Sequence, residues 1–517
     1  MMKLVSRLRS DQWSDYCVIV LVVRGREIKI DGPFLETLTH WPKALRKSCL
    51  PFLDYHSPDV LKAGNFLSFD NALGQRLLFV NDSETQDMFS TLTAARKVVA
   101  SWKGVKNGKV IVDLHSIDLG MATRWSHALL SADVADCFKF PKYSTQRKKT
   151  SKKKSKSYTF FGPESIVRGV SVGGKLGVEW TEATNFVRTL VLRSGNDLTP
   201  ETYVREIKEM SQKEGLGFTF YSHQQLKKMG AGAFLAVVKG SEHTHGGIVR
   251  LSYRPPGKNR GDLVFVGKGI TYDTGGINVK PGKYMLGMKG DMGGSAVVLA
   301  GIRLASKQRW SVGIDAYLAI AENSVSANAY KPDDVVEAHN GKTIEVIHSD
   351  AEGRMVLADT LSLASEEKPR LILDFATLTG SCVSAIGSAY AGVYTNQKSF
   401  WPQLIAAGES CGERVWPFPL SEDFGECLES DVADIKQCRP EGGVDHIEAA
   451  WFLSQFVKKG VDWVHVDLAA SENPGGVAHV PGEYTGFGVR VLATVAAYLL
   501  PDVSIPTIPV NSQKSGS

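Results

Sequence analysis

Short apolar runs alternate with longer amphipathic stretches along nearly the whole chain. In the first third, CVIVLVV (17–23), QRLLFV (75–80) and KVIVDLHS (109–116) read as strands, whereas TRWSHALLSADVADCF (123–138) reads as a helix. YTFFG (158–162) adds a strand, and EWTEATNFVRTLVLRSG (179–195) predicts a linking helix that stops at Gly195. In DLTPETYVREIKEM, Thr199 can cap a further helix and Pro200 suits its first turn. GGIVRLSY, DLVFVG, SVGIDAYLAIA, TIEVIHS, RLILDFATL and VDWVHVDLA then follow as strand candidates, with GSAVVLAGIRLASKQ and RMVLADTLSLASEE helical between them.

This alternation predicts an α/β fold. A smaller N-terminal α/β domain (1–185) is joined by a helix to a larger domain (190–503), whose mostly parallel sheet is covered by helices on both faces. At 517 residues the chain exceeds one ordinary core, in keeping with two domains. The Pro- and Ser-rich end, 504–517, reads as a disordered tail.

Composition excludes several classes. With 43% hydrophobic and 22% charged residues the balance is that of a globular protein, and no apolar run approaches the roughly 20 residues of a membrane span. The opening MMKLVSRLRSDQW lacks the apolar core of a secretory signal, so a cytoplasmic location is expected. Seven scattered cysteines without a CxxC pair read as reduced thiols. Cys382 in TLTGSC lacks a nearby histidine to activate it as a nucleophile.

The net charge of +5 depends on one segment. RKKTSKKKSK (147–156) holds seven basic residues, and without it the charge would be −2. The run reads as a solvated loop with no interleaved aromatic for base stacking; nucleic-acid binding, scaffolding or nuclear entry are the competing uses.

Polar groups gather just after strands in VGKGITYDTGGINVK (266–280), GDMGG (290–294), HSDAEGR (348–354) and ATLTGS (376–381). In a parallel sheet these positions border the ligand crevice. The phosphate-loop spacings GxxxxGK[ST] and GxGxxG are absent. Asp273, Asp291, Asp350 and Glu352 can instead converge, and four carboxylates at close range require cations to stay ionised. An oxygen-rich set suits Mg, Mn, Zn or Co, and bridging acids can hold two such ions. Unrelated turn aspartates and helix caps are the alternative that spacing alone leaves open.

The motifs from NDLTP through VGKGITYDTGG, Lys280, DMGG, AENS, SDAEGR, ATLTG, VADIK, AAWFL and TGFG resemble, in order, the leucyl (cytosol) aminopeptidase family of two-metal exopeptidases. The resemblance spans roughly 196–500. It implies that Lys268, Asp273, Asp291 and Glu352 hold one ion, and that Asp273, Asp350 with its carbonyl, and Glu352 hold a more exchangeable one. Lys280 is implied to stabilise the oxyanion, and Arg354 to bind a bicarbonate that acts as base. A pocket for the first side chain is implied at Met288, Thr377, Gly380, Ala469 and Glu472, together with peptide substrates and a homohexamer.

The chain departs from the family signature NTDAEGR at His348 and Ser349, and it places Glu472 where a methionine is usual, which points to polar or basic first residues as substrates. A two-metal phosphoesterase is disfavoured because its usual His and Asn ligands are missing from these stretches. HTH at 243–245 offers a histidine pair without a further ligand.

Overall fold

The computed structural model describes the chain except residues 1, 17, 25–26, 30–31, 56–59, 63–64, 83–86, 103–107, 146–154, 243–245, 505 and 507–517. Nearly all of the basic run, the HTH triplet and most of the expected tail therefore lie outside the described residues.

The N-terminal part is built on a six-stranded sheet in the order Met2–Val5, Ser157–Phe161, Lys109–Asp113, Val18–Arg24, Arg76–Asp82, Phe66–Asp70. The first five strands are parallel and the last is an antiparallel edge. Val18 to Val23 are all buried because both faces of the sheet are covered, hence an unbroken apolar run rather than an alternating one. Helices Met88–Ser101 and Leu119–Asp136 start on aspartates, Asp87 and Asp118, whose carboxylates accept backbone N–H groups of the first turn.

The linking helix is longer than the sequence pattern indicates: it runs over Glu164–Val191, 28 residues, and ends before Gly195. Its first half, VRGVSVGGKLG, is a poor helix former by propensity. The glycines have a packing reason. A Cβ on Gly173 would sit 2.4 Å from the Thr123 carbonyl oxygen, and one on Gly177 would sit 2.5 Å from that of His127. Glycines four residues apart thus let this helix lie directly against Leu119–Asp136.

The second, eight-stranded sheet has the order Val415–Pro417, Ala391–Thr395, Asp462–Asp467, Leu371–Ala376, Leu263–Asp273, Ile314–Asn323, Gly247–Tyr253, Gly217–Ser222. Its four central strands are parallel, and antiparallel pairs flank them on both sides. One expected strand falls elsewhere. Of TIEVIHS only Thr343–Glu345 is a strand, in a separate three-stranded sheet with Val335–Glu337 and Ile435–Lys436; Val346 still exchanges hydrogen bonds with Asp333 and Asp334, so the segment pairs with its chain neighbours and not with the large sheet. Thr199 caps its helix by accepting from Thr202, with Pro200 in the first turn as expected.

The C-terminal helix Val489–Leu499 ties the parts together. Fully buried Arg490 donates to Ser131 and Thr181 Oγ atoms at 2.9 and 3.0 Å and lies 2.7 Å from His127 Nε2. It therefore joins the N-terminal helix Leu119–Asp136 and the linking helix to the second sheet. Among the described residues, no helix is long and apolar enough to cross a membrane.

Candidate active site

The long strand Leu263–Asp273 ends at the carboxyl edge of the second sheet, and three further segments meet it there. Helix Gly293–Gln308 begins so close that a Cβ on Gly294 would lie 2.0 Å from the Phe375 carbonyl oxygen. The turn before this helix carries Asp291. The turn at 348–351 carries Asp350 and leads into helix Glu352–Ser365. Strand Leu371–Ala376 delivers Thr377.

Two lysines and four carboxylates come together in this crevice. Lys268 Nζ is 2.9 Å from Asp291 Oδ2 and 2.9 Å from Glu352 Oε1, and it donates to the Thr377 carbonyl at 3.0 Å. Lys280 Nζ is 2.9 Å from Asp273 Oδ2 and 2.5 Å from Asp350 Oδ1. The loop between Asp273 and Lys280 doubles back through Gly275 and Gly276, whose φ angles of +87° and +66° favour glycine. Gly353 is needed for space, since a Cβ there would meet Lys268 Nζ at 2.6 Å.

Second partners fix Asp273 and Asp291. Asp273 Oδ1 accepts from the Gly275 N–H and from Asn323 Nδ2, both at 2.8 Å, and Thr377 Oγ1 donates to Asp291 Oδ1 at 2.7 Å. Ser349 keeps the hydroxyl of its turn at work: it donates to the Gly275 carbonyl at 2.7 Å and accepts the Asn278 N–H at 2.8 Å. His348 is half-buried, and its Nδ1 accepts the Asp350 N–H at 3.3 Å.

The electrostatics are unbalanced, with two ammonium groups against four carboxylates. Burial, reinforced by neighbouring acids, pushes Asp291 and Glu352 up to about 7 and Asp350 up to about 6. Burial works against the ammonium of Lys268, but Asp291, Glu352 and Asp273 outweigh it and raise its pKa. Asp291 Oδ2 and Asp350 Oδ1 are each held by one lysine ammonium, Lys268 and Lys280 respectively. Ligand oxygens of Asp273, Asp350 and Glu352 all lie within 4.8 Å of one another. This donor set fits hard divalent cations, which would neutralise the excess negative charge.

A cavity of about 300 Å3 opens beside the cluster, bordered by Lys280, His348, Asp350, Arg354, Gly380 and Asp445. Buried Arg354 donates to the Gln437 carbonyl at 3.2 Å and to Asp445 Oδ1 at 2.5 Å, while its Nε has no partner.

The model of the cytosol aminopeptidase family catalytic domain matches residues 185–493. The chain belongs to this family. A probable cytosol aminopeptidase of Aquifex aeolicus is 39% identical over 70% of the chain and 72% of its own length. One from Alkaliphilus oremlandii is 34% identical over 79% and 81%. The solved structure of the bottromycin maturation enzyme BotP in complex with Mn superposes with a TM-score of 0.75 at 28% identity, covering 93% of this chain and 99% of that one. The chain is therefore a metal-dependent aminopeptidase, an exopeptidase of α/β architecture.

Of the residues picked out in the sequence of this aminopeptidase, Lys268, Asp273, Asp291, Lys280, Asp350 and Glu352 form one cluster. Arg354 and Gly380 border the adjoining cavity. Thr377, expected in the pocket, turns its hydroxyl to Asp291. Met288 lies in the short turn Met288–Gly290, and Ala469 is buried in the turn Ala469–Ser471. Exposed Glu472 closes that second turn, its Oε1 3.5 Å from where a Cβ on Gly290 would lie. Asn323, Gln437 and Asp445 escaped the sequence reading. Asn323 alone gave a signal, as a polar residue ending a buried strand in the same way as Asp273.

Proposed function

We propose that this aminopeptidase removes the amino-terminal residue of peptides with two divalent ions held among Lys268, Asp273, Asp291, Asp350 and Glu352. The observation that carries the reading is the convergence of four carboxylates, three of them raised in pKa, against only two lysine ammonium groups. Zn, Mn, Mg and Co all suit the donor set, and Mn has a precedent in BotP. Bound ions would supply Lewis-acid polarisation of the scissile carbonyl and a water of lowered pKa.

The chain's own groups supply the rest. Lys268, to serve as a ligand, gives up its proton beside the dications. Asn323 and Thr377 hold Asp273 and Asp291 in register, so these carboxylates need not reorganise as charge develops. Lys280 places its ammonium between the cluster and the cavity, where it can donate to the oxyanion of the carbonyl under attack. Arg354 is the proposed seat for bicarbonate acting as base; its place in the lining of the cavity, with Lys280 and Asp350, supports this, and Asp445 competes for the same guanidinium. The catalytic unit is proposed to be 190–503, with 1–185 as its companion, in a cytoplasmic homohexamer.

A metal-reconstituted screen of aminoacyl amides tests the reading. Chelator-treated protein is expected to be inactive and to recover turnover of unblocked amides, but not of N-acetylated ones, when Mn or Zn is returned. Full activity after exhaustive chelation would remove the basis for it.

A further inference from the structure

A second cluster of ligating side chains lies outside the aminopeptidase site, at the carboxyl edge of the N-terminal sheet. Asp113 ends strand Lys109–Asp113 and is fully buried. His40 Nε2 lies 2.6 Å from Asp113 Oδ2, and His115 Nδ1 lies 2.8 Å from Asp113 Oδ1. The ligand atoms of all three residues fall within 4.8 Å of one another. The two imidazoles stack with centroids 4.3 Å apart and retain 23% and 24% of their side-chain exposure, so the site is open to solvent on their side alone.

The surroundings hold this arrangement in place. Trp41 Nε1 donates to Asp113 Oδ2 at 2.5 Å, the His115 N–H donates to Oδ1 at 3.1 Å, and Phe161 packs edge-on against the His115 ring at 4.4 Å. Burial disfavours a charged Asp113, yet the hydrogen bonds from His115, His40 and Trp41 keep it ionised, down at about 2. Pre-oriented ligands with outer hydrogen bonds to the carboxylate, and a position beyond the ends of parallel strands, are the features of a built ligand site.

We propose that His40, Asp113 and His115 form a second metal site for a borderline dication such as zinc, separate from the aminopeptidase cluster. Imidazole nitrogens with one carboxylate select zinc, cobalt or nickel over magnesium or calcium, and three protein ligands leave a coordination position for water or an outside donor. Each ring ligates through the nitrogen that now faces Asp113 and carries its proton on the other nitrogen. A neutral ring therefore releases no proton on binding, and an imidazolium releases one.

The test is to saturate the full-length protein with zinc and count bound ions per chain by plasma mass spectrometry, in wild type and in His40→Ala/His115→Ala. The variant is expected to hold one ion fewer while its turnover of aminoacyl amides stays within twofold of wild type. Wild-type protein gives an independent readout: zinc is expected to slow carbethoxylation of His40 and His115 by diethyl pyrocarbonate at least tenfold, measured residue by residue by peptide mass spectrometry. An equal ion count in both proteins, or unprotected histidines in zinc-saturated wild type, overturns the proposal and leaves the triad as a structural hydrogen-bond network.

Discussion

Gly353 shows how little room the aminopeptidase cluster has. It lies inside helix Glu352–Ser365, where alanine is the better helix former, so Gly353→Ala should stabilise an ordinary helix. Here the new methyl would meet Lys268 Nζ at 2.6 Å and Cε at 2.7 Å. The expected outcome is a fall of at least tenfold in kcat/KM with helix content unchanged in circular dichroism, and wild-type kinetics would show that Lys268 has room to move aside. Glu472 is exposed, and its carboxylate faces the turn that carries Met288. Glu472→Met is expected to move the ratio of Leu-amide to Arg-amide hydrolysis about tenfold toward Leu, the scale of one altered pocket contact; an unchanged ratio would place Glu472 outside the pocket. The acids themselves were legible in the sequence because each lies in or beside a glycine-rich turn, although Asp291 follows the helical turns Gly282–Met285 and Met288–Gly290 and not, as expected, a strand. Asp445 and Gln437 were not, since neither lies in a pattern that distinguishes it from a surface residue.

Elements were legible where period and caps agreed. Strand Val18–Arg24 and the helix capped by Thr199 follow directly from their apolar runs and turn residues. Helix Glu164–Val191 was half hidden, because the glycines that permit its close packing on Leu119–Asp136 also erase its local propensity. Tertiary fit decided against the local signal there. The C-terminal helix offers a test of burial at this scale. Glu413 is fully buried, and its Oε2 accepts the Gly488 N–H at 3.0 Å and the Val491 N–H at 2.9 Å. Burial raises its pKa from 4.5 to about 7. Between those values the unfolded chain gives up the proton and the folded chain keeps it, so stability falls as pH rises through this window and levels off above it. Glutamine accepts the same two N–H groups and does not titrate. The stability of Glu413→Gln relative to wild type in urea is therefore expected to rise between pH 5 and pH 8, by up to roughly 3 kcal/mol. A difference independent of pH would mean that Glu413 is already ionised in the fold.

At the scale of the whole molecule, the α/β class and the parallel centre of the larger sheet were readable from alternating runs. The antiparallel flanks and the separate small sheet were not, because pairing partners far apart in the chain decide them. The N-terminal sheet carried no motif, and its likeness to BotP extends the family architecture over 93% of the chain. The segment joining Asp273 to Asp291 also exposes Val279, Tyr284 and Leu286, the last at 86%. The proposed homohexamer would give these exposed apolar side chains a surface to pack against. Leu286→Glu should then lower the mass found by light scattering, whereas an unchanged assembly would place the contact elsewhere.

Every part of the catalytic proposal depends on dications among Asp273, Asp291, Asp350 and Glu352. The direct measurement is an anomalous difference map at the manganese edge from crystals equilibrated with Mn. Two peaks enclosed by these four carboxylates, with Lys280 Nζ displaced from Asp273 and Asp350, are the expected result; a map without peaks there, with both lysines still paired to the acids, would contradict it.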